Sequence, residues 1–205
     1  HDLHNVLTPI ILAVPFMREK LTDEPSQDIL RTLESSAKRG EGVVRQLITF
    51  VRGVKGDRVV LHLKFLVREL LNFIAETFPP IIKVVKHCPK GNWYVIGDST
   101  QLYQVLMNLS INARDAMPNG GTLTIDLQNI TLSEQEAGLH FGATPGMYVI
   151  LTVKDTGGGI SLEIINRIFD PFFTTKEPGK GTGLGLSSAL SIVKSNGGFI
   201  DVHSE

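Results

Sequence analysis

The stretch GKGTGLGL, Gly179–Leu186, follows DTGGG at Asp155–Gly159, and the reading of these two segments decides the rest. Nine of the 20 glycines lie between Gly157 and Gly198, so backbone freedom is concentrated in one part of the chain. Glycine adopts positive φ cheaply and lets a ligand approach the main chain, at a cost in ordering entropy. Glycines accepted at that cost just before a helix commonly present backbone N–H groups to an anion, most often phosphate. The plain alternative is a flexible surface loop. The choice depends on whether the remaining sequence supplies a nucleotide, a metal and an acceptor.

Composition bounds the answer. At 205 residues and 22.5 kDa the chain fits one large domain or two small ones. With 42% hydrophobic and 20% charged residues it can build a packed core. A net charge of −1 gives no electrostatic case for nucleic acid as a partner. The single cysteine, Cys88, excludes an internal disulfide and fits a reducing compartment, so a cytoplasmic location is expected. No apolar run approaches the roughly 18–20 residues of a membrane span, and membrane contact by this stretch is not expected. The chain opens on His1 rather than Met, which reads as a piece of something longer.

The first segment, from His1 to about Lys20, is expected to be helical, with Leu3, Val6, Leu7, Ile10, Ile11, Val14 and Met17 on one apolar face. Pro9 and Pro15 each remove a backbone donor and predict kinks. After a turn at Thr22-Asp23-Glu24-Pro25, a second helix is expected from about Ser26 to Arg52. Its Ile29, Leu33, Ser36, Gly40, Val43, Leu47 and Phe50 recur at spacings of three and four, a seam like that of a coiled coil. Two helices joined by a tight turn cannot enclose a core alone. An antiparallel hairpin over 1–53 that forms a four-helix bundle with a second copy, a homodimer, is one solution; packing on the rest of the same chain is the other.

A linker at 54–58 precedes a change of pattern. Val59–Phe65 alternates like a strand, and Leu66–Phe78 reads as an amphipathic helix stopped by Pro79-Pro80. Strands are expected at Ile81–Lys86, Trp93–Gly97, Thr122–Ile130, Tyr148–Lys154 and Phe199–His203. Helices are expected at Ser99–Met117, capped by Asp98 or Ser99, and at Leu184–Ser195. Strands and helices mix without strict βαβ alternation, so the fold class is α+β, with a two-layer α/β sandwich over 59–205.

Within the long helix, Asn108 and Asn112 are four apart and share a face, with Asp115 a further turn along. Amides on an inward face are costly without partners. Mg²⁺ carrying nucleotide phosphates would supply them, because it keeps several waters and needs only one or two protein oxygens. A polar face in water is the alternative. Asp155, at the end of a hydrophobic strand, can accept from an exocyclic amine such as adenine's, or can cap its own turn.

The motifs NLSINARDAM (Asn108–Met117), DTGGG (Asp155–Gly159), FDPFFTTK (Phe169–Lys176) and GTGLGL (Gly181–Leu186), with HDLHNVLTPI from His1, resemble in residues and in order the boxes of sensor histidine kinases. The resemblance covers essentially the whole chain. It implies that ATP and Mg²⁺ are the ligands, that His1 is the phospho-acceptor, and that Asn112 with Asn108 forms the Mg²⁺ site. Asp155 would then read adenine. The stretch from Gly157 through Gly159, Ile160, Phe172, Thr175 and on to Gly185 and Leu186 resembles the mobile lid. Gly181, Thr182, Gly183, Leu184 and Gly185 would bring backbone amides near the phosphates, and Lys176 and Lys180 would supply charge.

Related ATPases of the gyrase and heat-shock-protein-90 superfamily carry a water-activating glutamate four residues before the metal-binding asparagine. Here that position is Asn108, which cannot act as a general base. The resemblance therefore implies a protein nucleophile in place of water. A neutral imidazole at His1 offers a lone pair near pH 7, Asp2 can fix its tautomer and take its proton, and Asn5 at i+4 can orient a water for phosphatase action. His4, His62, His87, His140 and His203 show no metal-ligand spacing and are expected to be structural or exposed. The implied partners are a response-regulator receiver domain and an upstream sensor domain, and the family's last strand is expected beyond Glu205. A superfamily ATPase with nucleotide-driven closure, and a degenerate non-catalytic dimeric scaffold, are the rival readings.

Overall fold

Ala13 to Lys20 contains a proline in its interior, yet residues 13–20 are helical (α1), as are 24–34 with 36 and 37 (α2). The computed structural model describes residues 9, 13–34, 36–37, 57–89, 91, 93–177 and 181–204. Most of the expected apolar face before Val14 and the seam beyond Ala37 therefore lie outside the described residues. The chain divides into two compact units, His1–Gly53 and Val54–Glu205.

In the first unit, Asp23 starts α2. Its carboxylate accepts from the Ser26 amide at 2.9 Å and its carbonyl from Gln27 at 3.0 Å, so Glu24 and Pro25 fall inside the helix rather than in a turn. Proline in a first helical turn loses nothing, since its missing N–H has no intrahelical acceptor there. Arg18 bridges to Glu34 at 2.8 Å, and Gln27 Nε2 donates to the carbonyls of Arg18 and Leu21, which ties the end of α1 to α2. Val14, Leu30 and Ala37 are buried, whereas Ile29 and Leu33 of the predicted seam are exposed.

In the second unit the order is β1 (Val59–Leu61), α3 (Leu63–Thr77), β2 (Ile82–His87), β3 (Val95–Gly97), α4 (Ser99–Asp115), β4 (Gly121–Leu132), α5 (Glu134–Ala137), β5 (Gly146–Lys154) and α6 (Gly185–Ser195), with a 3₁₀ turn at Ile165–Arg167 before α6. β4 is central in the sheet β2-β4-β5. It runs parallel to β2, from Ile82 opposite Gly121 to His87 opposite Asp126, and antiparallel to β5, from Thr124 opposite Lys154 to Leu132 opposite Gly146. The α+β class is as expected.

The core follows from two periods. Along β4, alternate residues Leu123, Ile125 and Leu127 are fully buried, the period of two of a sheet with one face covered. Along α3, Leu63, Leu66, Val67, Leu70 and Ile74 are buried at helical spacing, and α4 adds Leu106, Ala113 and Met117 to the same cluster. Truncating any of the three β4 residues to alanine costs about 2–5 kcal/mol on general grounds. A smaller cluster of Val105, Ala189 and Ile192 joins α4 to α6. Thus α4 packs its apolar faces on the sheet and on α6.

Two expected strands differ. Val59–Phe65 breaks after Leu61 because His62 caps α3, its Nδ1 accepting from the Lys64 amide at 3.3 Å. Phe199–His203 is irregular. That segment is held by side chains, with His140 paired to Asp201 at 2.5 Å and Ser204 Oγ accepting from the Ile160 amide at 2.7 Å, instead of by a ladder. The polar excursion 131–146 contains α5, closed by a capping box between Ser133 and Glu136.

Candidate functional site

The site is built on α4. Asp98 starts the helix, its Oδ1 accepting from the amides of Thr100 at 2.8 Å and Gln101 at 3.1 Å. That cap satisfies two of the first-turn donors, and the buried residues of α4 fix its rotation. Asn108 and Asn112 then share the face that meets the glycine-rich segment. Asn108 Nδ2 donates to the Gly185 carbonyl at 3.0 Å, and Asn112 Oδ1 accepts from Lys176 Nζ at 3.3 Å. Lys176 Nζ also lies 2.6 Å from Asp115 Oδ2, while Arg114 donates to Asp115 Oδ1 through Nε at 3.0 Å and a terminal nitrogen at 2.8 Å. Partial burial pushes the Asp115 carboxyl up, but hydrogen bonds from Lys176 and Arg114 outweigh it and hold the group below its ordinary value.

The first glycine segment meets the other end of α4. The Gly158 amide donates to the Ala116 carbonyl at 3.3 Å, and a Cβ at Gly157 would lie 2.5 Å from that same oxygen, so only glycine fits. Asp155, immediately after β5, accepts from the Gly157 amide through Oδ1 at 2.8 Å. The turn-capping role is therefore real, and Oδ2 has no partner among the described residues. Gly159 has φ of +68°, and the Ile160 amide is taken by Ser204.

The second segment is held by a close backbone approach. Phe172 donates its amide to the Gly183 carbonyl at 3.0 Å, and both residues have positive φ, +68° and +66°. A Cβ at Gly183 would lie 2.3 Å from the Phe172 carbonyl carbon. Positive φ at a phenylalanine is uncommon and marks a backbone held by its surroundings. At Gly181 an added Cβ would meet Thr174 Oγ1 at 2.7 Å, and Thr175 is exposed. Thr182 Oγ1 accepts weakly from the Leu184 amide at 3.4 Å. Leu184 is buried and anchors the turn into α6, where Leu186 is half-buried; no side chain caps that helix start.

Asn108, Asn112, Asp115, Lys176 and Gly185 are thus brought together, and Asp155 with Gly157 meets the same helix at Ala116. His1, Asp2, Asn5 and Lys180 lie outside the described residues. Sequence reasoning missed two features: the Phe172–Gly183 pairing, for which only the glycine pattern gave a signal, and Arg114 as a second partner of Asp115.

The donor set suits a divalent cation. Two amide side chains and a carboxylate supply oxygens, and a cation, the Lys176 ammonium, already sits at Asn112 Oδ1.

Comparison with known proteins gives the family. Residues 97–205, more than half of the chain, match the model of the histidine kinase-, DNA gyrase B- and HSP90-like ATPase. The chain belongs to this family. Its relatives include Sensor kinase CckA of Brucella abortus (strain 2308), 40% identical over 207 residues that cover all of this chain and 22% of that protein. Sporulation kinase A of Bacillus subtilis (strain 168) is 34% identical, again over all of this chain and 31% of that protein. The chain thus spans between a fifth and a third of the length of these two curated relatives. Among solved structures, the catalytic domain of histidine kinase ThkA is 29% identical with a TM-score of 0.54, covering 69% of this chain and 82% of that one. The site of this family member is therefore the α4 face with its two glycine-rich flanks.

Proposed function

We propose that the chain is the dimerisation and catalytic core of a two-component sensor histidine kinase: it binds ATP with Mg²⁺, phosphorylates His1, and passes the phosphoryl group to an aspartate of a response-regulator receiver domain. The observation that carries this reading is the polar face of α4. Asn108 and Asn112 meet the glycine-rich segment there, and the residue at position 108 is a hydrogen-bond donor to the Gly185 carbonyl. A glutamate at 108, the general base of the hydrolysing relatives, would set a carboxylate against that carbonyl. The asparagine fits this site and cannot activate water.

Asp155 is the group for the adenine amine, its Oδ1 fixed by the Gly157 amide and its other oxygen left to accept. Asn112, with Asn108 and Asp115 beside it, would hold the cation, whose chemistry is to neutralise phosphate charge. The backbone amides of Gly181, Gly183 and Gly185 and the start of α6 would meet the phosphate end. Transfer then needs an in-line nucleophile more than covalent activation. The His1 imidazole lone pair forms the N–P bond as the bond between the γ-phosphorus and the bridging oxygen breaks. Asp2 takes the imidazole proton, and Asn5 orients a water for the reverse, phosphatase, direction.

The domain reading is 1–53 for dimerisation and phosphotransfer, 54–58 as linker and 59–205 for catalysis. Exposed apolar residues on the described helices, with Phe16 70%, Ile29 61% and Leu33 45% exposed, support a homodimer through this unit. Among the described residues no helix is long and apolar enough to cross a membrane. A cytoplasmic core with a sensor domain upstream and a receiver partner is the reading that follows.

Incubation of a chain extended upstream of His1 with γ-labelled ATP and Mg²⁺ tests it. The expected product is acid-labile phospho-protein that His1→Gln abolishes. Acid-stable label, label surviving His1→Gln, or steady phosphate release with no phospho-protein would each defeat the assignment, the last in favour of an ATPase.

A further inference from the structure

Both asparagines of the α4 face are occupied by the segment that would close over a nucleotide. At one end, Asn108 Nδ2 holds the Gly185 carbonyl; at the other, the Lys176 ammonium lies between Asn112 Oδ1 and Asp115 Oδ2. Between these ends the backbone is drawn together by the Phe172–Gly183 hydrogen bond. The Lys176 side chain is one-third exposed and that of Asp115 27% exposed, so the pair sits at the rim of the site, where water and ions reach it. Asp115 is also neutralised from its other side by Arg114.

We propose that Lys176 is a tethered stand-in for the divalent cation: parked by Asp115 against Asn112, it keeps the glycine-rich segment closed on α4 until nucleotide and metal displace it. This inference rests on the ATP·Mg²⁺ reading above. The chemistry follows from charge. Asn112 Oδ1 is an uncharged oxygen that prefers a cation, and an ammonium carries one charge where a hydrated Mg²⁺ carries two. The metal arrives with phosphates that attract the displaced ammonium, so the lysine exchanges one anion for another. Asp115 is the positioning residue, since it touches neither base nor phosphate in this state and acts by holding Lys176. Nucleotide binding is then an exchange reaction, weakened by whatever free energy the parked state holds.

The test measures two quantities on the same protein: backbone hydrogen exchange of residues 172–177 without nucleotide, and calorimetric affinity for ATP·Mg²⁺. Asp115→Asn is expected to speed exchange there about two- to fivefold and to tighten the apparent Kd by a similar factor, as loss of a partly exposed ion pair implies. Lys176→Met should speed exchange equally, Lys176→Arg should restore most of the protection, and the Asp115→Asn/Lys176→Met pair should exceed neither single change. Wild-type exchange in both single variants, or no tighter binding in Asp115→Asn, overturns the proposal. Faster exchange in a wild-type background that binds no nucleotide would instead overturn the ATP reading.

Discussion

The two glycine-rich segments are built differently, although both are pinned to α4. At 155–158 the contacts are made by backbone: the Gly158 amide reaches the Ala116 carbonyl, and Gly157 leaves no room for a side chain beside that oxygen. At 172–185 the contacts to α4 are made by side chains, Lys176 and Asn108, with a backbone pairing that is internal to the segment. The first is therefore part of the rigid body and suits recognition of a flat, invariant group such as a base. The second can release without disturbing a helix or a strand, which suits a cover that must open. Glycine content alone does not distinguish them; the kind of contact does.

The sharpest way to break this contrast is an alanine at each tight glycine. Gly157→Ala drives a Cβ into the Ala116 carbonyl and should lower the melting temperature by several degrees, as a cost of about 2 kcal/mol does in a chain of this size. Gly183→Ala forces positive φ and a clash on Phe172, yet it should move melting by less than about 2 °C while weakening ATP·Mg²⁺ by about tenfold or more. Equal melting shifts by calorimetry would erase the distinction. A smaller effect is expected from Asn108→Glu. It should speed hydrogen exchange around Gly185 about threefold or more, because a carboxylate repels the carbonyl that the amide now holds; unchanged exchange would remove the side-chain tether from the account.

The smallest effect concerns pH. The Asp115 carboxyl is held below its ordinary value of 3.8 by Lys176 and Arg114. A carboxyl depressed in the folded state contributes stability that is fully present above that value and is lost as pH falls through the lower native one. Exchange of 172–177, corrected for intrinsic rates, should therefore be flat from pH 7 to 5 and rise only below about 4. A rise centred near 6 would assign the tether to another group.

What could be read without coordinates was whatever a local period encodes. Alternation marked β4, the i, i+4 asparagines marked one face of α4, and Pro79-Pro80 marked the end of α3 closely. Val59–Phe65 failed because a strand period and a helix cap overlap: His62 turns the chain where alternation still continues. Phe199–His203 has strand composition but is tied by His140 and Ser204 instead of by a neighbouring strand. The site residues on α4 were legible as a motif, whereas the Lys176–Asp115 contact joins residues 61 apart in sequence and carries no local signature. Phe172 gave no warning either, since nothing in a phenylalanine announces positive φ.

The most direct test of the central claim, that α4 and its two glycine flanks form a nucleotide site with Asp155 at the base end, is a calorimetric titration of ATP·Mg²⁺ into wild-type protein and Asp155→Asn. The account predicts saturable binding to wild type and a loss of about tenfold or more in Asp155→Asn, with the melting temperature of the nucleotide-free variant nearly unchanged. Near-wild-type affinity in Asp155→Asn would contradict it.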